Sequence, residues 1–386
     1  MKKIIDKIII IFLFIQPLLD VLTSIQIRYN FLSVYISSII RVLFMLFVLI
    51  YMIIYKYDLK IIILLFIYGI IELGYLYFGS SISLLFNVIR IFYLPVMILF
   101  FSKYDIKINK KYILIIYLMY LLLLLIPTVC GFSFDIYTGA DDKKGFIGLF
   151  YGGNELSGIL LGMLPIILIY LKDIKKIYLR VIYYVLIVAT FILVSTKTLF
   201  LGGILVLLVF LYRYIKNKRI KNKKGIILSI VGVLLLVLII LPYTPVMNNI
   251  KITLNYYGIN EPKDVFSLYA LDNVIFSRRL SYADNLFNEY SNSSIQNRLL
   301  GLSTVNTIKD SEIDLVDIFV TIGLIGIIIY VFIMTYLIRH EKMKFEYKFS
   351  LILFIVMSLF SGHILIKPAV SIYMGLIYNL NREESK

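Results

Sequence analysis

Hydrophobic residues fill this chain in long blocks, and short clusters of lysine and arginine separate them. Runs such as 225–242 and 318–338 match the roughly 20 apolar residues needed to cross a bilayer. Backbone in lipid must satisfy its own hydrogen bonds, so the runs read as helices. The alternation of a membrane β-barrel is absent. The pattern predicts an all-α integral membrane protein of about twelve spans, near 8–27, 31–55, 60–78, 83–101, 112–130, 152–171, 177–195, 198–213, 225–242, 316–338, 349–365 and 367–380. The last two could instead form one re-entrant element around Gly362 and Pro368. One long interruption, 243–315, divides the chain into spans 1–9 (1–242), a loop, and spans 10–12 with a tail (316–386). Loops of this length are functional or disordered. Recurring Tyr, Phe, Leu, Ile and Val argue for order, and Leu271, Ile275, Tyr282 and Leu286 stand close to helical spacing. Short helices on the outer membrane surface are expected there. No internal repeat favours an inverted-repeat transporter.

Composition supports this reading. Hydrophobic residues make up 61% of the 386 positions and mean hydropathy is +0.94, a surplus that a soluble domain cannot hide. The formal charge of +16 invites a nucleic-acid reading, and its location answers it. With the N-terminus in the cytoplasm, the inward segments are 1–7, 56–60, 102–111, 172–180, 213–224, 339–348 and 381–386, and they hold 26 of the 39 Lys and Arg. Such a bias sets topology in the cytoplasmic membrane, with both termini inside, and touches lipid headgroups. No nucleic-acid partner is expected. The basic run 213–224 reads as a stop-transfer anchor. Lys2 and Lys3 precede an apolar stretch, but no small-x-small cleavage site follows, so residues 1–25 read as the first span. Cys130 is the single cysteine, cannot form an internal disulfide, and reads as a packing residue.

An ionised side chain inside a membrane costs several kcal/mol and needs a partner or a role. Asp20, Arg41, Glu72 and Arg90 all fall in the outer half of spans 1–4. One reading pairs Asp20 with Arg41 and Glu72 with Arg90 to pin helices together. The other is an outward-facing, water-filled cavity suited to an anionic substrate, since arginine offers a planar fork for diphosphate oxygens. Further polar residues gather at outer ends: Asn87, Asn154, Glu155, Lys197, His363 and Lys367. In the loop, Arg278 and Arg279 sit within an amphipathic stretch, and Glu312, Asp314 and Asp317 lead into span 10 before Gly323 and Gly326. Asp317 could simply favour the helix dipole, or one of the three acids could be a general base. No Walker A loop, HExxH or GxSxG is present. Nothing in the acid spacing requires a metal.

Seven stretches in order carry a resemblance: QPLLD (16–20), NVIRIFYLP (87–95), GLFYGGNELSGILLGMLP (148–165), VSTKTLFLGG (194–203), SRRLSYADNLF (277–287), EIDLVDIFVTIGLIG (312–326) and SGHILIKPAVSIY (361–373). With the large loop between spans 9 and 10, the chain resembles the O-antigen ligase and polymerase family, in the version found in Gram-positive bacteria. The resemblance implies a GT-C-like transferase that moves a glycan from undecaprenyl diphosphate to a sugar acceptor outside the membrane. It needs no cofactor and no metal. A polyprenyl-diphosphate-linked glycan and membrane lipids are the implied partners, and other polysaccharide-assembly membrane proteins are candidates. The family's diphosphate-binding arginines would correspond to Arg278 or Arg279, with Arg90 and Arg41 approaching from the membrane. Lys197 stands where many members have arginine, keeping the charge without the fork. Many members carry a histidine ahead of span 10. Here Glu312–Asp314 stands there instead, so the base remains open among Glu312, Asp314, Asp317 and His363. Asp20, Glu72, Asn87, Asn154 and Glu155 would line the cavity. The main rival is a flippase or transporter of the same lipid-linked sugar. A non-enzymatic assembly partner is weaker.

Overall fold

A computed structural model describes residues 2–30, 35–77, 82–134, 145–194, 196–217, 241–259, 267–302, 310–339 and 342–384. The expected ninth span, 225–242, lies almost wholly outside them. The described residues are helical, with no β-strand among them. The chain divides into two compact units, residues 1–109 with 275–386, and residues 110–274.

The first unit holds α1 (Lys2–Tyr29), α2 (Ile36–Ile54), α3 (Leu59–Tyr77) and α4 (Ile82–Lys103). The second holds α5 (Lys110–Val129), α6 (Gly153–Lys172), α7 (Ile177–Leu193), α8 (Lys197–Asn217) and α9 (Pro245–Tyr256). The first unit then resumes with α10 (Arg279–Asn292), α11 (Ile295–Leu300), α12 (Asp314–Arg339), α13 (Phe345–Phe360) and α14 (Pro368–Glu383). Six helices among the described residues, α1, α2, α4, α5, α6 and α12, are long and apolar enough to cross a membrane. Residues 349–380 fall in two helices joined by a non-helical connection, 361–367. Cys130, expected to pack, is exposed just past α5.

The core of the first unit is α4 against α14. Both are buried around most of their circumference, from Val96 to Phe101 on one and from Ala369 to Leu380 on the other. Gly375 makes the close approach possible, because a Cβ there would stand 2.8 Å from the Met97 carbonyl oxygen. Small residues at such crossings let membrane helices meet backbone to backbone. Five of the seven predicted inward segments converge at one end of this unit. The Tyr104 hydroxyl donates to Asp6 at 2.7 Å, and Lys103 pairs with Asp58 at 3.4 Å. The Ile108 amide donates to Glu383 at 3.1 Å, and the Asn381 amide to the Lys342 carbonyl at 3.1 Å. That convergence is what an alternating arrangement of spans produces.

α12 is broken at Gly323, whose φ of 62° and ψ of −170° no helix contains. A break inside a span frees backbone groups that lipid cannot satisfy. The Val320 carbonyl accepts from the Leu302 amide at 3.0 Å, and the Ile322 carbonyl from the Tyr68 hydroxyl at 3.2 Å. Tyr75, two turns further along α3, donates to Asn297 and to the Gly301 carbonyl. The loop therefore docks into the break. Its helix α10 buries Ala283, Leu286 and Tyr290, the last two packed with Leu302 against Val316, Phe319 and Val320 of α12. The amphipathic stripe expected to lie on the membrane surface is thus covered partly by protein. The stripe is also interrupted, by a π-helical turn at Leu271–Ile275 and left-handed residues Ser277 and Arg278.

In the second unit α6 is the most buried helix, from Leu156 to Leu168. A Cβ on Gly203 would overlap the Phe191 ring, and the Tyr117 hydroxyl caps the Leu160 carbonyl at 2.9 Å.

A Cβ on Gly323 would lie 2.5 Å from the Gly301 nitrogen at a positive φ. Gly323→Ala is expected to lower stability by roughly 2–4 kcal/mol, combining left-handed strain and overpacking. Gly74→Ala, where a Cβ meets nothing within 4 Å, should be neutral or slightly stabilising. Thermal size-exclusion profiles of a fluorescently tagged protein in detergent would rank the two.

Candidate functional site

The charges of the first unit separate into a structural pair within the helices and a cluster where the loop meets α12. Arg41 forms an ion pair with Asp20, and its Nε donates to Gln16 Oε1 at 3.0 Å. Gln16 and Asp20 stand one turn apart on α1, so both reach the same guanidinium. Arg41 and Gln16 are buried, and the Tyr93 hydroxyl donates to the Arg41 carbonyl at 3.2 Å. This is the helix-pinning reading of the first pair. The second expected pair is not found among the described residues. Glu72 is buried on α3 beside Tyr68, whereas Arg90 is exposed on α4 with Asn87 as its acceptor at 3.4 Å.

The cluster centres on the connection between α13 and α14. Asp314, the first residue of α12, is fully buried. Its Oδ1 accepts from the His363 amide, and its Oδ2 from the Ile364 and Leu365 amides at 2.7 Å each. Asp317 accepts from the Ser311 amide at 2.9 Å and the Ser311 hydroxyl at 2.7 Å. Arg279 is buried and donates to Glu312 at 2.8 Å, to the Ser361 carbonyl at 3.1 Å and to the Phe360 carbonyl. The neighbouring Arg278 is exposed, its guanidinium 5.5 Å from the Tyr282 ring centre. Ser277 and Arg278 have left-handed backbone immediately ahead of α10, and exposure changes from Arg278 to Arg279 there.

Electrostatics tie Arg90, Asp310 and Lys367 to this cluster. Burial raises the Asp310 carboxyl above its usual range, the Glu312 charge adds to the rise, and Lys367 and Arg90 oppose it. His363 moves the other way. Burial lowers its imidazole, the charge of Lys367 lowers it further, Glu312 opposes, and Arg279 and Arg90 add smaller decreases. The imidazole is therefore neutral at neutral pH. Its Nδ1 is buried and has no hydrogen-bond partner among the described residues.

Of the four candidate bases, Asp314 has both oxygens occupied by backbone amides, Glu312 faces Arg279, and Asp317 gives Oδ1 to Ser311 while its Oδ2 is buried without a partner among the described residues. His363 combines a neutral imidazole with an unused nitrogen. Lys197, Asn154 and Glu155 belong to the second unit. Lys197 donates to the Val274 carbonyl at the π-helical turn, and Asn154 and Glu155 open α6, half-buried. Among the described residues no group of three His, Cys, Asp or Glu is placed to hold a metal ion. Sequence reasoning missed Tyr68, Tyr75 and Ser311. The spacing of 68, 72 and 75 on one helical face was the available signal for the first two. Nothing local marked Ser311.

Fold and site together define a multi-pass helical membrane protein with a polar, charge-rich cluster where a large loop meets a broken span. The family described as O-antigen ligase like membrane protein matches residues 2–267 and 260–381, and the chain belongs to it. No curated protein and no solved structure matches the chain. Membership makes the protein a glycosyltransferase-like enzyme with a membrane glycan ligase or polymerase role, and it points to a lipid-linked glycan as substrate.

Arg41→Met strands the Asp20 carboxylate and is expected to cost roughly 3–5 kcal/mol, whereas the double variant Asp20→Leu/Arg41→Met should recover most of that loss. Detergent melting curves of the two variants would decide. Equal loss in both would refute the pairing.

Proposed function

We propose that the protein transfers a glycan from undecaprenyl diphosphate to a sugar acceptor on the outer side of the cytoplasmic membrane during surface polysaccharide synthesis. The observation that carries this reading is the His363 imidazole, neutral, with Nδ1 unpartnered among the described residues, in a cluster that also holds exposed cations. The acceptor hydroxyl oxygen attacks the anomeric carbon of the lipid-linked sugar. His363 takes the hydroxyl proton as the new glycosidic bond forms. The bond from the anomeric carbon to the diphosphate oxygen breaks, and negative charge grows on the lipid diphosphate. Arg278, Arg90 and Lys367 stabilise that charge, which is the larger electrostatic contribution to such a transfer. The donor arrives activated by its own diphosphate, so neither a nucleotide sugar nor a metal is required. In this reading Asp20, Arg41 and Asp314 hold helices and turns in place.

Polymerase and ligase share this chemistry and differ in acceptor. The rival flippase reading does not require a loop docked into a helix break. Deleting the gene and analysing the lipid-linked pool separates the three. Single repeat units accumulating on the outer leaflet indicate a polymerase, long lipid-linked chains a ligase, and inner-leaflet accumulation a flippase. In the complemented strain, His363→Gln and Arg278→Ala should each reduce surface glycan at least about tenfold, the range for loss of a general base or a charge-stabilising group. Normal glycan in both variants at normal membrane levels would sink the assignment. Because His363 lies low, acidifying the medium through about 6.5, the ordinary histidine value, should leave transfer intact. Activity is lost only once the pH falls to the lowered value and the base is protonated.

A further inference from the structure

Residues 361–365 form a turn that would not hold itself. His363 has a φ of 56°, a left-handed conformation that costs a side-chain-bearing residue about 1–2 kcal/mol. Its neighbour Gly362 leaves no room for a Cβ against the Glu312 backbone. The turn is gripped at both polarities. Its carbonyl end, Phe360 and Ser361, accepts from the Arg279 guanidinium, and its amide end, His363 to Leu365, donates to the Asp314 carboxylate. The two grips come from different parts of the chain, the loop helix α10 and the start of α12. Each places a buried charge on main-chain groups, where hydrogen bonds are strong and their loss is costly. Strain maintained in this way is characteristic of functional positions.

We propose that Arg279 and Asp314 are positioning residues that fix the turn bearing His363, so that docking of the loop sets the orientation of that imidazole. The inference rests on the reading of His363 as the base and adds how its geometry is established. It also divides the work of the two adjacent arginines. Arg278 reaches outward to substrate, while Arg279 reaches inward to the turn. A substrate held at Arg278 is one peptide bond away from the residue that aligns the base.

The test needs no substrate. The chain has two histidines, His340 and His363, so a His340→Gln background leaves His363 as its single imidazole. The full-length protein is purified in detergent and treated with diethyl pyrocarbonate at one fixed neutral pH. The rate of N-carbethoxylation at His363 is followed by mass spectrometry. Asp314→Asn and Arg279→Lys are each expected to raise that rate roughly tenfold, the effect of losing one charge-assisted hydrogen bond. Lys103→Ala, roughly 20 Å along α4 from Arg90, should leave it unchanged. Unchanged rates in the folded variants overturn the proposal. If Asp314→Asn does not fold, Arg279→Lys decides alone, because it retains the charge facing Glu312. The base assignment is judged separately. Full surface glycan in His363→Gln removes the base without touching the positioning result, and an inactive His363→Gln with unchanged modification rates removes only the positioning.

Discussion

A peptide group inside a bilayer has no water to turn to, and the first unit is arranged around one place where that constraint is strained. At Gly323 the ladder of α12 stops, and the freed carbonyls of Val320 and Ile322 take a loop amide and a tyrosine hydroxyl. The break could not persist in lipid without those partners. The loop in turn gains a fixed seat, with Gly301 and Gly323 in backbone contact and Leu286 and Tyr290 buried on the first half of α12. From that seat Arg279 reaches the turn that carries His363. The position of the cluster thus depends on a hydrogen-bond deficit created by one glycine.

The charged residues sort by what they touch. Arg41 and Asp314 are buried, Asp20 is partly so, and their hydrogen bonds lie within the protein. Replacing one member of such a set exposes the other to an apolar surround, which makes these residues sensitive to change without making them chemical. Arg278 and Arg90 are exposed and keep donors for an anion. Burial alone would have ranked the acids above the histidine as reactive groups. Accounting for each oxygen's partners sets aside Asp314 and Glu312 and leaves Asp317 Oδ2 beside the His363 imidazole.

Much of the helical architecture was legible in the sequence, because the apolar period and the placement of lysine and arginine are direct consequences of the bilayer. The convergence of residues 1–7, 56–60, 102–111, 339–348 and 381–386 at one end of a unit follows from that placement. The Asp20–Arg41 pair was legible too, since each charge needed a partner at similar depth. The same reasoning suggested Glu72 with Arg90, which failed because depth says nothing about which face of a helix a residue occupies. The change in exposure from Arg278 to Arg279 was not readable, and the left-handed backbone at Ser277 and Arg278 carries no glycine to announce it. The grip of Asp314 on residues 363–365 was hidden for another reason. It joins positions about fifty residues apart through main-chain amides, which are alike in every sequence.

The pairing of α4 with α14 has a consequence for the order in which the protein can be made. α4 is buried from Val96 to Phe101 against a helix that begins at Pro368. Domains fold as the chain emerges, yet α4 meets only α2 and α3 at first, and the helix that covers most of it follows more than 260 residues later. During that interval a helix fitted for protein contact sits among lipid or beside provisional neighbours. The 110–274 unit is synthesised complete within the gap. The last sixteen helical residues therefore act as a keystone in time as well as in space, and a ribosome that stops short of them leaves an inserted chain without its centre.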